Sequence, residues 1–249
     1  MIKEYANPNC YARQLGNCSR KLSREHFVSK SLLKLIETPR KMTMQGPAWL
    51  PNNEERSVSS ESLSAKILCE KHNSILSGLD NTAKEFCDFF INLESETITL
   101  ELDYRLLERW MLKLLCGLIA SGYIKGFSNW MPNQEWLDIL FLDAQISRGD
   151  GLYYLMSNKR LTGKNNEFAV WPIVNQTHEI VGIHFLLAGY PFLFLIGGLP
   201  REMLKKHFEN GFGLIYRPQI FRIEYKGLVK QLNLGTNNGE TITLGITTI

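Results

Sequence analysis

Apolar residues recur at three- and four-residue steps in stretches between about residues 73 and 147, which is the period of amphipathic helices. One such pattern begins near Asn73, a second spans residues 102–122 and a third covers residues 134–147. A shorter apolar group at residues 31–36 predicts one short helix, which Pro39 ends. This part of the chain is therefore predicted to be mainly helical.

From Gly151 onward the pattern changes to short runs of aromatic and β-branched residues that are separated by Gly, Pro or Asn. Such runs are typical of strands in an antiparallel sheet. The predicted strands cover residues 152–156, 168–171, 180–185, 192–196, 214–216 and 220–225, and a short helix is predicted near 200–209. In the first half of the chain, residues 41–46 predict a strand and residues 51–61 predict a polar loop.

The change in pattern predicts two parts of different character. We place the boundary near residue 97, which gives an N-terminal domain of residues 1–97 and a C-terminal domain of residues 98–249. The N-terminal domain is poor in predicted strands, whereas the C-terminal domain contains two or three helices and then a β-rich block. The fold class that follows is α+β, and the pattern assigns no chemistry to the β-rich half.

Charge is distributed unevenly along the 249 residues. The whole chain carries a formal net charge of only +3, but residues 1–41 contain nine Lys or Arg against three Asp or Glu. A local basic excess of this kind favours the phosphate backbone of a nucleic acid. A solvated basic face explains the same count, so charge alone leaves both interpretations open.

Neither export nor membrane insertion is expected. The first residues lack a charged segment followed by an apolar core, and no stretch of about 18 uncharged apolar residues could span a bilayer. The cysteine count is five, and Cys87 and Cys116 fall within helical patterns where they fit as small buried side chains. An odd count without a disulfide framework predicts a cytoplasmic protein with no membrane partner.

The other three cysteines form a candidate metal site with a histidine. Cys10 and Cys18 are separated by seven residues, and Cys69 and His72 by two. Thiolate and imidazole ligands in two pairs can hold one tetrahedral zinc ion, and a small domain with a thin core gains stability from such an ion. The alternative is that Cys10 and Cys18 are loop thiols and that His72 is a surface residue.

Between these two pairs lies the dipeptide Glu25-His26. The imidazole of His26 has an intrinsic pKa near neutrality and can take a proton from water, while the carboxylate of Glu25 offers the hard oxygen that Mg²⁺ or Mn²⁺ prefers. A metal ion of that kind would neutralise the charge that develops on a phosphodiester. By itself a Glu-His pair is more often solvated than reactive, and its weight comes from the flanking residues.

The chain also contains two segments, SREHFVSKSL around His26 and ILCEKHN ending at Asn73, that resemble the motifs of HNH endonucleases of the ββα-metal superfamily. The resemblance covers roughly residues 8–90, and it implies a small zinc-stabilised ββα unit. It further implies that His26 is the general base, that Glu25 is a ligand of a catalytic Mg²⁺ or Mn²⁺ ion, and that Asn73 orients the base.

Two positions depart from the family pattern. Ser29 stands where the motif usually has proline, and His72 stands where the second cysteine of the zinc-binding knuckle is usual. Histidine is itself a zinc ligand, so the substitution preserves a four-coordinate site. The third residue of the catalytic triad is expected on the helix after Asn73, where Asp80 and Asn81 are both candidate ligands of the catalytic metal.

The function that the resemblance implies is metal-dependent hydrolysis of DNA phosphodiester bonds, in a role such as restriction or antiphage defence. Two alternatives remain open. In the first, the N-terminal domain is a catalytically inactive, zinc-stabilised module that binds nucleic acid or protein. In the second, the chain acts as an effector whose β-rich half docks a regulatory protein partner. Assembly into a homo-oligomer is also compatible with the sequence.

Overall fold

The structure is a computed structural model. It describes residues 5–37, 42–45, 50–51, 54–94, 98–127, 129–156, 167–198, 213–235 and 241–245. The chain divides into two compact units: unit 1 comprises Met1–Lys84 and Arg109–Gln145, and unit 2 comprises Glu85–Glu108 and Ile146–Ile249. The boundary predicted near residue 97 falls inside the first segment of unit 2, and the division into two sequential domains stays a prediction.

The described residues contain thirteen strands and five α-helices. In chain order they are β1 (Leu22–His26), α1 (Lys30–Ile36), β2 (Met42–Gln45), β3 (Glu55–Val58), β4 (Ser64–Cys69), α2 (Glu70–Leu76), α3 (Leu79–Ile91), β5 (Thr99–Leu102), α4 (Tyr104–Ala120), α5 (Gln134–Leu142), β6 (Gly151–Met156), β7 (Phe168–Val174), β8 (Ile180–Leu187), β9 (Tyr190–Leu195), β10 (Gly213–Tyr216), β11 (Ile220–Tyr225), β12 (Leu228–Leu234) and β13 (Thr241–Gly245). Helices together with antiparallel sheets confirm the predicted α+β class.

A pair of antiparallel strands, of which the second leads directly into a helix, carries the predicted site in unit 1. β1 and β4 pair antiparallel, with Ser23 opposite Leu68 and His26 opposite Ser64. The register slips by one residue between Ser23 and Glu25, which is the mark of a β-bulge. α1, β2 and β3 lie between the two paired strands in the chain, and α2 follows β4 without a loop.

The buried helix of unit 1 is α4, in which every residue from Trp110 to Ile119 is buried. Gly117 lies where this helix packs against the segment that follows β1. A Cβ atom built at Gly117 would lie 3.0 Å from Phe27 Cβ and 3.2 Å from Phe27 Cα. The absence of a side chain at Gly117 therefore permits the close approach of α4 to the end of β1. The strands β2 and β3 form a separate two-stranded antiparallel sheet.

Unit 2 contains two larger sheets. The first has five antiparallel strands in the order β10-β6-β9-β8-β7. The second has the order β13-β11-β12-β5 and is mixed, because β11 runs parallel to β13 and β12 parallel to β5. Apolar side chains cluster on the five-stranded sheet: Tyr153, Leu155, Ile173, Val181, Leu193 and Leu195, with Leu214 packed against them.

Aromatic rings form the other part of the core of unit 2. The ring of Phe90, near the end of α3, lies 5.1–5.4 Å from the rings of Tyr190, Phe192 and Phe221. Edge-to-face pairs of this kind contribute about 0.5–1.5 kcal/mol each beyond the area that they bury. Phe90 thus joins α3 to β9 of one sheet and β11 of the other.

A buried ion pair lies beside this core. The carboxylate of Glu108 accepts hydrogen bonds from Arg217 Nε (2.8 Å), Arg217 Nη2 (2.9 Å) and the backbone N–H of Leu152 (2.9 Å). Gly151 lies against the same carboxylate, since a Cβ atom there would fall 2.3 Å from Glu108 Oε1. Glu108 therefore has a charged partner and a backbone donor, which is what a buried carboxylate requires.

Two sequence predictions are corrected by the structure. Residues 51–61 were predicted as a polar loop but contain β3, which is stabilised by pairing with β2. The single helix predicted to begin near Asn73 is two helices, α2 and α3, separated at Ser77 and Gly78. Pro39 and the helix predicted near 200–209 lie outside the described residues. No described helix has both the length and the apolar character that a membrane crossing needs.

Candidate functional site

The loops before β1 and the junction of β4 with α2 bring the four predicted zinc ligands together. The backbone N–H of Cys10 donates to the carbonyl oxygen three residues earlier (3.0 Å), and that of Cys18 donates to Tyr5 O (2.8 Å). Cys69 is the last residue of β4, and His72 lies in the first turn of α2. All four side chains are buried, so the strand–helix junction and the two loops meet at one internal point.

Three sulfurs surround one ring nitrogen of His72. This Nδ1 atom lies 3.4 Å from Cys10 Sγ, 3.7 Å from Cys18 Sγ and 3.3 Å from Cys69 Sγ. All four ligand atoms lie within 4.8 Å of one another, and all five cysteines of the chain are free thiols. Tetrahedral zinc, with Zn–S of about 2.3 Å and Zn–N of about 2.0 Å, needs S···N spacings of about 3.5 Å. The cluster could therefore hold a metal ion such as zinc.

In the absence of a metal ion, burial opposes the charged form of two of the three thiols. Burial raises the pKa of Cys10 to about 12 and also raises the pKa of Cys18. Burial acts in the same direction on Cys69, but hydrogen bonds from the backbone N–H groups of His72 and Ser19 outweigh it and lower the pKa of that thiol. Because burial lowers the pKa of His72, its imidazole is neutral near pH 7. A divalent cation would supply the charge that three buried thiolates need.

Glu25 and Asp80, two of the predicted ligands of a catalytic metal, lie on either side of the ammonium group of Lys113 from α4. Lys113 Nζ is 2.9 Å from Glu25 Oε1, 3.0 Å from Asp80 Oδ1 and 2.9 Å from Asp80 Oδ2. The side chains of Lys113 and Glu25 are 6% and 9% exposed. Burial raises the pKa of Glu25, and the attraction of Lys113 acts against this shift.

Ser29 and Trp110 complete the network. Ser29 Oγ donates a hydrogen bond to Asp80 Oδ1 (2.5 Å) and accepts one from Trp110 Nε1 (2.9 Å). Ser31 Oγ donates to the backbone oxygen of Asp80 (3.3 Å). The serine at the position where the related motif usually has proline therefore links the start of α1, α3 and α4, which a proline side chain could not do.

These carboxylates do not fit a divalent cation in the positions that they occupy. Mg²⁺ requires oxygen ligands at about 2.1 Å, and a cation near Glu25 would be repelled by the ammonium group already in contact with it. Among the residues that the structure describes, the Cys₃His cluster is the one group of three or more His, Cys, Asp or Glu with ligand atoms close together. Catalytic Mg²⁺ or Mn²⁺ stays a prediction from the sequence.

His26, the predicted general base, lies at the end of β1 with its side chain 19% exposed. Its Nε2 is covered and lies 3.5 Å from Glu61 Oε2, and Glu61 also forms an ion pair with Lys30. Burial lowers the pKa of His26 below its usual 6.5, although the Glu61 carboxylate acts in the opposite direction. The imidazole is therefore neutral near pH 7, the form that a base requires.

The two predicted asparagines are placed differently. Asn73 follows His72 in α2, and its Nδ2 donates to Ser23 Oγ on β1 (2.9 Å). The same amide acts to lower the pKa of Glu25, so Asn73 joins α2 to the strand that carries Glu25 and His26. Asn81 lies exposed near the start of α3, and its backbone N–H donates to Gly78 O (3.3 Å). Asp80, rather than Asn81, faces the network around Lys113.

Sequence reasoning missed Lys113 and Glu61. Lys113 is the one charged residue between positions 110 and 120, inside an otherwise uncharged helical stretch. A lysine in the apolar face of a helix needs an anionic partner when it is buried, so this position carried a usable signal. Glu61 belongs to the segment predicted as a polar loop and had no comparable signal. Its contact with His26 arises from the tertiary structure.

A basic groove of about 640 Å³ runs beside the paired strands β1 and β4 of unit 1. Its lining includes four cationic side chains and one carboxylate: Arg20, Lys21, Arg24, Lys66 and Glu70. Glu70 pairs with Lys21 (2.7 Å), which leaves three cations in excess. A surface of this kind attracts a phosphate backbone.

No protein-family model matches the chain, and no curated protein or solved structure is significantly similar to it. The class of protein is therefore defined by fold and site alone. It is an α+β protein in which the loops before β1 and the junction of β4 with α2 carry a buried Cys₃His cluster that could bind a metal ion.

Proposed function

We propose that unit 1 is a zinc-stabilised endonuclease domain of the HNH type, which hydrolyses DNA phosphodiester bonds. The observation that carries the proposal is the placement of His26. It ends β1, which pairs antiparallel with β4 just before α2, its ring is partly exposed, and its lowered pKa keeps the imidazole neutral near pH 7. Asn73, from the helix of the same unit, bonds to the strand that carries His26.

In this proposal His26 removes a proton from water. Because the carboxylate of Glu61 faces Nε2, it favours the tautomer protonated there and leaves the lone pair on Nδ1. The resulting hydroxide attacks phosphorus, the bond to the leaving oxygen breaks, and that oxygen takes up a proton. Zinc in the Cys₃His cluster supplies no step of this reaction, since its role is to hold β4 and α2 to the loops before β1.

The basic groove supplies the contact with the DNA backbone. Arg20, Arg24 and Lys66 are exposed within it, and Arg24 immediately precedes the reactive pair. Lys30 is a further cation beside His26, but it is paired with Glu61. Since Glu61 is 62% exposed, an incoming phosphate can replace its carboxylate at both Lys30 and His26 without opening the core.

A specific observation favours the second candidate, a zinc-stabilised module that binds nucleic acid without cutting it. The ammonium group of Lys113 lies between Glu25 and Asp80, the residues that would be expected to hold a catalytic cation. Such a module would retain the groove and its phosphate affinity but have no turnover. A regulatory partner for the β-rich unit 2, or self-association, would fit either candidate.

Plasmid cleavage tests the proposal. The wild-type protein is incubated with supercoiled DNA in Mg²⁺, in Mn²⁺ and without added divalent ion, alongside His26→Asn. Loss of a general base lowers the rate by about 10²–10⁴-fold, so the variant should leave the plasmid supercoiled at unchanged zinc content. A matched control is His178→Asn, because His178 is exposed in a turn with a φ of 59° that asparagine tolerates.

The two candidates give different results. Equal cleavage by His26→Asn and wild type would reject the assigned base. DNA binding that weakens in Arg20→Gln and Lys66→Gln, without cleavage by the wild type in any condition, would reject the nuclease and establish the binding module. Loss of both cleavage and DNA affinity in the groove variants, with cleavage by the wild type, would support the nuclease.

A further inference from the structure

Lys113 is a buried cation with two anionic partners. Its ammonium group contacts three carboxylate oxygens at 2.9–3.0 Å, one from Glu25 and two from Asp80. The two contacts with Asp80 are hydrogen bonds, whereas the contact with Glu25 Oε1 is an ion pair without hydrogen-bond geometry. The buried arrangement has the composition of a small cation site in which the cation is part of the chain.

We propose that the ammonium group of Lys113 permanently replaces the divalent cation between Glu25 and Asp80, so that the protein binds no Mg²⁺ or Mn²⁺ there. The inference uses the proposed function only to name the two carboxylates as expected metal ligands. It concerns their occupancy and not the reaction, so it can fail while the proposed function stands.

Three features support a permanent replacement. First, Lys113 projects from the buried stretch of α4 and is itself only 6% exposed, so its side chain cannot leave without opening the unit. Second, Ser29 Oγ holds Asp80 from the other side through a hydrogen bond that Trp110 Nε1 supports. Third, Lys113 brings one positive charge to two carboxylates, and removing it would leave a buried Glu25 without compensation.

The replacement makes Lys113 a positioning residue for its neighbour. Glu25 immediately precedes His26 in β1, so the ion pair fixes the backbone from which the imidazole projects. In a protein that used Mg²⁺ at this point, the position of the carboxylate would depend on the concentration of the ion. Here the same alignment is present whenever the chain is folded.

Mn²⁺ binding tests the inference without any substrate. The zinc-loaded full-length protein is titrated with Mn²⁺, and free Mn²⁺ is followed by electron paramagnetic resonance. We expect no site in the wild type at millimolar Mn²⁺. In Lys113→Met, which retains most of the side-chain volume, we expect one new site, and Lys113→Met/Asp80→Asn should lose it again. Lys34→Met, on the exposed side of α1, serves as the matched control and should resemble the wild type.

The wild-type titration decides the question even if Lys113→Met does not fold. One equivalent of Mn²⁺ bound by the wild type and lost in Glu25→Gln would overturn the inference, as would a folded Lys113→Met without a new site. Neither result would bear on cleavage, which is measured separately with His26→Asn. Conversely, an inactive wild type would reject the nuclease and leave the Mn²⁺ result standing.

Discussion

The two units of the protein are stabilised in different ways. The sheets of unit 1 have two strands each, and its loops meet at three cysteines and a histidine. Unit 2 has sheets of five and four strands and a core of stacked and edge-to-face aromatic rings. A two-stranded sheet is marginal by itself, whereas larger sheets with an apolar face are stable. The candidate site therefore lies in the unit with the smaller sheets, where the Cys₃His cluster could hold a metal ion.

The same contrast appears in the buried carboxylates. Glu108 of unit 2 is held by a bidentate contact with Arg217 and by a backbone N–H, and it lies far along the chain from Glu25 and His26. Glu25 of unit 1 is held by Lys113, which it shares with Asp80, and is adjacent to His26. One ion pair completes a core, and the other fixes a residue next to a candidate base.

Loss of the metal cluster should have the largest effect and should separate the units. Structural zinc contributes about 10–16 kcal/mol of apparent binding free energy, which equals or exceeds the whole stability of a typical domain. We expect Cys69→Ser, or a strong chelator, to unfold unit 1 while unit 2 stays folded. Hydrogen exchange measured by mass spectrometry would show fast exchange in β4 and α2 and protection in β8 and β9.

The control for this experiment is Cys116→Ala. Cys116 is fully buried in α4 but lies outside the cluster. The Cys116→Ala variant should keep one equivalent of zinc, measured by elemental analysis, and should show the hydrogen-exchange pattern of the wild type. Unchanged protection of α2 in Cys69→Ser would show that unit 1 does not depend on a metal.

Removal of the cation that pairs with either buried carboxylate should cost less, and by similar amounts in the two units. Lys113→Met and Arg217→Met each leave a buried carboxylate without its partner, for which about 3–5 kcal/mol is typical. Urea unfolding should place both variants well below the exposed control Lys34→Met. Only Lys113→Met should also change Mn²⁺ binding. A loss below about 1 kcal/mol in Lys113→Met would mean that the ion pair is not buried in solution.

A smaller effect is expected at the contact of α4 with the end of β1. The Cβ of Gly117→Ala would lie 3.0–3.3 Å from Phe27 Cβ, Cα and O, so the helix must shift. Overpacking of this type costs about 1–3 kcal/mol. Gly78→Ala, where a Cβ meets nothing within 4 Å, should change the stability by less than about 1 kcal/mol. Equal stability of the two variants would contradict the close packing at Phe27.

The smallest predicted effect concerns pH. Burial lowers the pKa of His26 in the folded protein, so its neutral form persists below the usual pKa of 6.5. Any cleavage that uses this base should rise with pH to a midpoint below 6.5. The same residue favours folding above pH 6.5, and this contribution is lost as the pH falls through the window below it.

Glu61→Gln should move the His26 midpoint to lower pH, because the carboxylate acts to raise the pKa of the imidazole. Proton NMR of the imidazole C–H groups measures the shift whether or not the protein cuts DNA. Glu179→Gln, an exposed carboxylate of unit 2, is the control. A midpoint that moves upward in Glu61→Gln would show that Glu61 does not contact His26.

The sequence predicted elements with a periodic pattern better than contacts between distant segments of the chain. The period of α4 and the aromatic runs of β6, β8 and β9 were visible because burial on one face or on both faces imposes a pattern. β1 and β3 were not predicted, since Arg24 and the first three residues of β3 are exposed and these strands form through pairing. β5 pairs in parallel with β12, which lies more than 100 residues further along the chain, whereas β13 pairs in parallel with the nearby β11.

The candidate site shows the same division. Cys10, Cys18, Cys69 and His72 were grouped from spacing and residue type, and the structure brings their ligand atoms together. The partners of Glu25 and His26 were not foreseen, because Lys113 and Glu61 come from distant segments. Spacing along the chain identifies ligands, whereas charge compensation across a fold requires the packed structure.

Cys69 ends a strand, and His72 and Asn73 lie in the helix that begins directly after it. Oxidation of the Cys69 thiol to a sulfenic acid would remove one of the four candidate ligands and weaken the junction between β4 and α2. The amide that bonds to Ser23 would lose its alignment at the same time. If a metal ion is bound there, peroxide would thus disturb the far end of β1 without reaching the imidazole, and a reductant with fresh zinc would reverse the change.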